Sequence, residues 1–405
     1  MQSWFEDKIQ AGIFLATVVL VSLGIIAIYS ATYDAGASAY FYRQIIWACV
    51  GFVMMLAVIF IPFRTLQLIS YPLYGFSILF LVAVLVLGKS IAGSTSWFGI
   101  GSLGLQPSEI TKATSILALA SYLSDKRINL HRFKNLAVAS GIVLLPVTLI
   151  LLQPDMGTAI IFIGLLISLL FWAGASHTLM IFLIAPAFAA VAALFGTTPF
   201  LIVILLLLLF LFFIKENKFI SAIIFSFTVL VGISVQFIHG KLAPYQQKRI
   251  DTFLDPAGDP LGAGYNVIQS KVAIGSGGIF GKGFLEGSQT QLNFIPAQWT
   301  DFIYCVPAEE FGFIGAFLIL ILFAYILFKG VHLASTVKSR YASLVCIGVV
   351  SVLASHIIIN IGMVMGMMPV IGVPLPFLSY GGSFLLSCMF MIGLLLNMYS
   401  NRKEY

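Results

Sequence analysis

Charge is what this chain lacks most. Only 9% of its 405 residues are charged, whereas 60% are hydrophobic; a soluble globular domain carries about 25% charged residues. Apolar runs such as FLIVILLLLLFLFFI at 200–214 show neither helical nor strand alternation, which is the pattern of segments surrounded by lipid. Backbone groups in lipid must be satisfied within the segment, so we predict an all-α polytopic membrane protein.

Cysteine and histidine are also scarce. The four cysteines are dispersed in or beside apolar segments without CxxC spacing, and we interpret them as packing residues. The five histidines show no zinc-ligand spacing, and only His239 stands near the acids that a Ser-His-Asp hydrolase would use. No small-residue cleavage site follows the first apolar run, so we expect no cleaved signal peptide.

Twelve apolar stretches are long enough to be candidate spans, given that a span needs about 20 mostly apolar residues. They lie at 10–31, 43–61, 70–88, 107–124, 136–152, 156–174, 178–196, 199–214, 219–239, 306–329, 341–368 and 375–398. Within 178–214, short breaks containing Gly and Pro leave a re-entrant pair or one long tilted helix as alternatives.

The positions of Lys and Arg predict the orientation. Most of the 21 basic residues fall on one side of the predicted spans, which the positive-inside rule assigns to the cytoplasm together with both termini. The loop SDKRINLHRFKN at 124–135 is the strongest element; it suits an anchor at anionic lipid, or a regulatory partner's surface. The basic balance is thus a topology signal and no evidence for nucleic acid.

One connection is much longer than the rest. The segment 240–305 lies on the outer side and combines charges, glycines and short apolar runs; the segment 88–112 is its only rival. Because loops on a rigid scaffold often carry binding and chemistry, we expect the site there.

Four acids lie at or near the outer ends of spans: Glu109, Asp155, Glu309 and Glu310. A carboxylate at membrane depth is costly without a partner, so we expect them to face a polar cavity. The alternative is a helix N-terminal charge, which suits an acid after a proline. Lys112 follows Glu109 by three residues and shares its helix face, either as a structural pair or as a pyrophosphate holder.

Two glycine-rich stretches stand out in the long segment. GSGGIFGKG at 275–283 lacks the spacing of a nucleotide-binding loop; its glycines suit close approach of backbone to backbone or to a flat sugar. DPAGDPLGAG at 255–264 holds two Asp-Pro pairs. Either Asp255 or Asp259 can be a turn residue, and either could be a base that takes a proton from a sugar hydroxyl.

The long segment resembles a known family. RIDTFLDPAGDPLGAGYNVIQSKVAIGSGGIFGKGFLEGSQTQLNFIPAQWTDFIYCVPAEEFGF at 249–313, WFGIGSLGLQPSEITK at 97–112, QPDMGTA at 153–159 and MPVIGVPLPFLSYGGS at 368–383 resemble the SEDS glycosyltransferases of shape, elongation, division and sporulation. GSGGIFGKG, GSQ and LNFIP resemble the rod-elongation branch more than the division branch. Many relatives carry Pro-Glu before the TDF, where this chain has Ala297.

The resemblance implies a fold of about ten transmembrane helices, to which 178–239 would add an inserted hairpin, with 240–305 as the catalytic loop. It implies an inverting peptidoglycan glycosyltransferase that polymerises lipid II outside the cytoplasmic membrane. It also assigns the catalytic role to Asp259, the second Asp-Pro, as general base. The alternative is a lipid II flippase, although the large glycine-rich outer loop favours the enzyme.

The same motifs imply residues that bind substrate or pyrophosphate or support the site. These are Trp97, Gln106, Glu109, Lys112, Asp155, Arg249, Gln269, Ser270, Lys271, Thr300, Asp301, Glu309 and Glu310. The implied partner is a class B penicillin-binding protein with the elongation machinery. No organic cofactor is expected, and a divalent cation, Mg²⁺ or Mn²⁺, is left open.

Overall fold

The structure is a computed structural model. It describes residues 10–33, 36, 38–91, 94–100, 103–214, 218–239, 241, 244–258, 264–296 and 298–402. The chain divides into two compact units, one formed by Met1–Ala173 with Asn266–Tyr405 and the other by Gly174–Tyr265.

Most of the helices belong to the first unit. In chain order they are α1 (Ala11–Tyr33), α2 (Ser38–Ile59), α3 (Phe63–Leu87), α4 (Pro107–Ser124), α5 (Phe133–Leu151), α6 (Met156–Trp172), α11 (Tyr265–Ser276), α12 (Ser288–Gln291), α13 (Cys305–Glu310), α14 (Gly312–Thr336), α15 (Arg340–Val364) and α16 (Gly382–Ser400). Tyr265, the first residue of α11, is counted with the second unit.

Three helices form the interior of this unit. In α15 and α16, 72% of the most apolar stretch is buried, against 22% in α3 and 28% in α14. Most residues of α4 are buried as well, including polar ones. A helix that buries polar residues in a membrane protein needs partners for them, so these three helices are where a polar site can be built.

Small residues and one asparagine allow close packing around this interior. A Cβ on Gly24 of α1 would lie 2.4 Å from the carbonyl oxygen of Phe377, and one on Gly393 of α16 would lie 2.9 Å from Val58. The Asn397 side chain donates to the carbonyl oxygens of Val58 at 2.9 Å and Ile61 at 2.7 Å. It therefore satisfies carbonyls at the end of α2 that the helix itself leaves open.

A small antiparallel sheet follows α3, within the segment 88–112. Its strands are β1 (Lys89–Ile91), β2 (Ser94–Ile100) and β3 (Leu103–Leu105), in the order β1-β2-β3. Trp97 pairs with Lys89, and its ring lies 3.0 Å from where a Cβ on Gly104 would be. The sequence analysis did not predict these strands.

The second unit consists of α7 (His177–Leu194), α8 (Thr197–Ile214), α9 (Lys218–His239) and α10 (Pro244–Leu254), followed by a 3₁₀ turn at Pro256–Gly258. Leu207, Leu211 and Ile224 form its buried core, and the rings of Phe182 and Phe227 stack at 5.0 Å. Its first three helices coincide with the predicted hairpin region 178–239, whose status as an insertion stays a prediction.

A helix lies at each of the twelve predicted spans. In the described part of the chain, nine helices are long and apolar enough to cross a membrane, and Met156–Trp172 and Thr197–Phe213 are shorter apolar helices. The helical membrane fold is confirmed, whereas the number of spans stays a prediction. The predicted span 375–398 began too early: the helix starts at Gly382, and the residues before it form a turn at 376–378 in which Phe377 has a φ of 65°.

Candidate functional site

A buried ion pair lies in the first turn and a half of α4. The helix begins at Pro107 with Gln106 as its N-cap residue, and the Lys112 Nζ atom donates to Glu109 Oε1 at 2.9 Å. The lysine side chain is 0% exposed and that of the glutamate 4%. The predicted pairing is confirmed, and the burial favours a structural or supporting role over direct contact with a pyrophosphate.

His356 of α15 completes this cluster. Its Nε2 atom lies 2.7 Å from Lys112 Nζ, its Nδ1 atom lies 3.1 Å from the carbonyl oxygen of Pro374, and it is 1% exposed. The Phe384 ring packs against the imidazole at 4.8 Å. Lysine, histidine and glutamate thus form one continuous polar chain from α4 to α15, which we call the Glu109–Lys112–His356 chain.

One oxygen of this chain has no protein partner. Glu109 Oε2 is buried without a hydrogen bond, whereas its backbone carbonyl accepts from Ser387 Oγ of α16 at 3.0 Å. A buried acceptor without a partner is uncommon and costs free energy. The Glu109 carboxylate is therefore only partly satisfied by hydrogen bonds, unlike the carboxylate of a fully paired structural ion pair.

Asp155 lies at the start of α6 and binds back to α4. It accepts from the backbone N–H of Thr158 at 3.0 Å and from its hydroxyl at 2.8 Å, which is the geometry of a helix N-cap. Its Oδ2 atom also accepts from Gln106 Nε2 at 3.1 Å. Two predicted site residues are thus brought together, and the helix-cap alternative holds for Asp155.

The segment 369–381 is tied to the TDF motif through hydroxyl and backbone groups. Ser379 Oγ donates to the carbonyl oxygen of Thr300 at 2.7 Å and accepts from the N–H of Leu375 at 2.7 Å. The N–H of Tyr380 donates to the carbonyl oxygen of Trp299 at 2.8 Å. The motif MPVIGVPLPFLSYGGS therefore positions Thr300 directly.

Asn360 of α15 does the same for the neighbouring aspartate. Its Nδ2 atom donates to the carbonyl oxygen of Asp301 at 2.8 Å and to that of Val373 at 2.7 Å, and the residue is fully buried. Asn360 lies four residues after His356, hence on the same face of α15. One helix face thus serves both groups of predicted site residues.

Glu309 is enclosed by donors from the glycine-rich loop. Its Oε1 atom accepts from Lys282 Nζ at 2.9 Å and from the N–H of Gln289 at 2.9 Å, and its Oε2 atom accepts from the N–H and hydroxyl of Thr290 at 3.0 and 2.8 Å. The side chain is 0% exposed. The expected polar cavity is absent here, because the loop folds over the carboxylate.

Glu310 is buried beside it with weaker compensation. It accepts from the Ser30 hydroxyl and from the N–H of Leu285 at 3.1 Å, and its Oε2 atom has no partner. Burial raises the pKa of Glu310 despite these bonds. Burial alone would also raise the pKa of Glu309, but Lys282, Gln289 and Thr290 outweigh it and hold that pKa below its usual range.

The glycines of GSGGIFGKG let backbone approach backbone. A Cβ on Gly277 would lie 2.1 Å from the carbonyl oxygen of Ala308, and one on Gly281 would lie 2.1 Å from that of Glu310. Lys282 N–H donates to the carbonyl oxygen of Glu309 at 3.0 Å. Of the two alternatives for this stretch, the structure shows the backbone contact.

Four predicted residues lie on or near α10 and α11. Ser270 is buried and its hydroxyl donates to the carbonyl oxygen of Val364 at 2.8 Å. The exposed Lys271 passes over Gly366, where a Cβ would lie 2.6 Å from its Nζ atom. Gln269 is half-buried on α11, and Arg249 is exposed on α10 of the second unit. Their roles stay predictions.

The two aspartates of DPAGDPLGAG differ in what can be described. After Asp255 the chain enters the 3₁₀ turn, and Gly258 N–H donates to the Asp255 carbonyl oxygen at 3.3 Å, so a turn forms there as predicted. Asp259 lies outside the described residues, and its assignment as general base stays a prediction.

A divalent cation stays a prediction. No group of three or more His, Cys, Asp or Glu side chains among the described residues could hold a metal ion. The buried acids are bound to lysines and backbone N–H groups, which take the place of a cation. We therefore derive no step through a metal.

The sequence analysis missed His356, Asn360 and Ser379. A polar side chain inside an apolar helix was the available signal, since such residues face the protein interior. The i,i+4 spacing of His356 and Asn360 would have placed them on one face. Most of their partners, such as Lys112 for His356 and the Asp301 carbonyl for Asn360, are far away in sequence, and no local pattern identifies them.

The comparisons with known proteins cover nearly the whole chain. A family model described as cell cycle protein, for FtsW, RodA and SpoVE, matches residues 10–200 and 180–404. Stage V sporulation protein E of Bacillus subtilis is 36% identical over 95% of this chain and 94% of its own length. This chain belongs to the SEDS family. Another SEDS relative, the peptidoglycan glycosyltransferase RodA of Treponema pallidum, is 34% identical over 95% of this chain and 96% of its own.

A solved structure supports the same conclusion. A chain from a peptidoglycan synthase complex that coordinates polymerization and crosslinking superimposes with a TM-score of 0.74 and 31% identity, covering 98% of this SEDS chain and 99% of that chain. Together with the apolar helices, this makes the SEDS chain a multi-pass membrane protein.

Proposed function

We propose that this chain is a peptidoglycan glycosyltransferase that polymerises lipid II into β-1,4-linked glycan strands. The observation that carries the proposal is its membership of the SEDS family over nearly the whole chain. A relative that matches over 96% of its own length bears this activity in its name. The stretches that resemble the rod-elongation branch support a role in cell elongation and rod shape.

The chemistry needs a base and a positive charge. The acceptor sugar's 4-hydroxyl must lose a proton as its oxygen attacks the anomeric carbon of the donor, and the bond to the pyrophosphate breaks with inversion. Because pyrophosphate leaves as an anion, a single carboxylate base suffices and cations stabilise the departing charge. Asp259 is our candidate for the base.

The described polar clusters support the site around that base. Thr300 and Asp301 are held by Ser379 and Asn360, and Glu309 fixes the loop that follows α11. Fixed positions matter because small displacements of reacting groups cost large factors in rate. We assign these clusters to positioning.

The distribution of charge supports an orientation with both termini in the cytoplasm and the segment 240–305 outside, in a bacterial cytoplasmic membrane. Lys126 and Arg132 of the loop between α4 and α5 and Lys134 in the first turn of α5 are exposed, while Arg127 pairs with Asp125 at 2.8 Å. Exposed lysine and arginine beside a span favour the cytoplasmic side.

A class B penicillin-binding protein is the proposed partner, together with the elongation machinery. The likeness to a chain of a peptidoglycan synthase complex supports it. We place its single helix against the spans within 306–398 and its outer domain on the segment 240–305.

The decisive experiment uses purified protein with lipid II, with and without the cognate penicillin-binding protein. We expect glycan polymer from the wild type and a loss of at least about 100-fold in rate for Asp259→Ala, the contribution of a general base. Asp255→Asn is the matched control at the neighbouring Asp-Pro, with a modest loss expected. Polymer from Asp259→Ala at the wild-type rate would refute the assignment.

The same proteins test the flippase alternative. Reconstituted into vesicles with labelled lipid II, a flippase would translocate the lipid without making polymer, and Asp259→Ala would leave translocation intact. A glycosyltransferase gives polymer that depends on Asp259, whatever happens to translocation.

A further inference from the structure

Lys112 sits between two partners that it can only donate to. An ammonium group has no acceptor, and its Nζ atom lies 2.9 Å from Glu109 Oε1 and 2.7 Å from His356 Nε2. The lysine is fully buried, so water does not compete for either bond. His356 Nε2 must therefore offer a lone pair.

The contact at His356 Nδ1 selects the same protonation state of the imidazole as the contact at Nε2. A carbonyl oxygen can only accept, and that of Pro374 lies 3.1 Å from His356 Nδ1, which assigns the proton to Nδ1. A doubly protonated ring would aim an N–H at the lysine 2.7 Å away. Both partners thus select the neutral Nδ1–H tautomer.

This ring links two groups of residues that are distant in sequence. On one side stand Glu109 and Lys112 of α4. On the other, the segment that contains Pro374 reaches Thr300 through Ser379, and Asn360, one turn along the same helix, holds Val373 and Asp301. The imidazole therefore bridges these two groups through hydrogen bonds.

We propose that His356 is a positioning residue for lipid II polymerisation, accepting from Lys112 and donating to the Pro374 carbonyl so that α4 is held in register with the Thr300–Asp301 segment. The inference rests on the proposed function. It explains why a fully buried lysine carries a second partner besides its carboxylate, since one bond pairs its charge and the other transmits its position.

Two amide substitutions separate the two ring nitrogens. In His356→Gln the amide reaches the position of Nε2 and can accept from Lys112, whereas in His356→Asn it reaches only the position of Nδ1 and keeps the bond to Pro374. His356→Gln loses only the bond to the neutral Pro374 carbonyl, so we expect it to lose about 3-fold in kcat. His356→Asn loses the bond to the charged lysine, and we expect a loss of about 10- to 100-fold. KM for lipid II should change little, because neither ring nitrogen contacts substrate.

A double-mutant cycle distinguishes positioning through Lys112 from a general loss of stability. Rates are compared per folded molecule for His356→Asn, Lys112→Met and the double variant, with thermal midpoints measured for each. If His356 acts through Lys112, the double variant loses no more than Lys112→Met alone; independent damage would make the losses multiply.

Three outcomes would overturn the inference: wild-type rate from His356→Asn, equal losses from the Gln and Asn variants, or multiplying losses in the cycle. Should Lys112→Met fail to fold, the Gln and Asn comparison still decides. Absence of polymer from the wild type with its penicillin-binding protein would refute the proposed function instead.

Discussion

Two glutamate–lysine pairs in this protein have the same length and different surroundings: the Lys112 side chain is 0% exposed, whereas that of Lys282 is 28% exposed. Glu109–Lys112 and Glu309–Lys282 are both 2.9 Å ion pairs. Glu309 accepts hydrogen bonds on both oxygens, with donors from Lys282, Gln289 and Thr290 among them. Glu109 leaves Oε2 without a partner and shares its lysine with a histidine. Distance alone thus says little about the role of a buried pair, and the count of satisfied atoms says more.

The comparison suggests a division of labour. A fully satisfied carboxylate fixes a loop as a backbone amide network would, because every bond is internal and directional. A carboxylate with an unsatisfied oxygen keeps a charge in the interior at a cost in stability. We interpret such a charge as one that is retained because it serves a functional site. We therefore expect stability to depend most on Glu309 and activity per folded molecule to depend most on Glu109.

The largest effect on stability should come from Glu309→Gln. The amide would aim an N–H₂ group at donors it now accepts from, and Lys282 would lose its counter-charge. We expect the free energy of unfolding to fall by about 1–3 kcal/mol, the cost of leaving buried polar groups without their partner, seen as a lower thermal midpoint in detergent.

The matched control is Glu286→Gln, in the same loop and exposed, where the change should stay within about 0.5 kcal/mol. Folded Glu309→Gln protein should lose less of its polymerisation rate than folded Glu109→Gln protein. Equal midpoints for the two variants would show that the Glu309 cage does not stabilise the fold.

The sequence predicts one of these two glutamate–lysine pairs and not the other. The i,i+3 spacing predicted the Glu109–Lys112 contact because helix geometry is local. Helix spacing predicts no partner for Glu309 or Glu310. These adjacent acids have different environments because their donors come from 282–291 and from Ser30, which are distant in sequence. Hydropathy predicted the spans, and a helix lies at each of them. Hydropathy does not detect short strands, so the small sheet at 89–105 was not predicted.

Glu109→Gln should have the next largest effect, and on activity. The amide oxygen keeps an acceptor for Lys112, so the geometry is retained while the charge is lost. We expect a smaller fall in thermal midpoint than for Glu309→Gln, with a loss of about 10-fold in kcat, equal to roughly 1.4 kcal/mol of barrier. Polymerisation rates per folded molecule for the two variants side by side make the measurement.

The proposed difference between the two glutamates is contradicted if Glu309→Gln lowers the rate more than Glu109→Gln, or if Glu109→Gln lowers the thermal midpoint more than Glu309→Gln. Full activity in folded Glu109→Gln would mean that the Glu109–Lys112–His356 chain is structural only. Loss of activity in folded Glu309→Gln would mean that the loop at 282–291 takes part in the reaction beyond its anchoring.

The smallest effect, and the finest test, concerns the pH dependence of Glu309 and Glu310, which precede the span that begins at Gly312. The pKa of Glu309 is lowered, so its stabilising contribution is present above the ordinary glutamate pKa and is lost as pH falls through the lowered value. Burial raises the pKa of Glu310, so its contribution is present at low pH and is lost as pH rises through the raised value.

Glu310→Gln imitates the protonated acid and removes that penalty. We expect its thermal midpoint to equal or exceed that of the wild type at neutral pH, with the difference shrinking as pH falls toward the ordinary glutamate range. Midpoints of both proteins across a pH series test this, with Glu286→Gln as the exposed control from the same loop. A difference that grows toward low pH would mean that Glu310 is stabilised as a carboxylate, like Glu309, and that the two neighbouring acids share one environment.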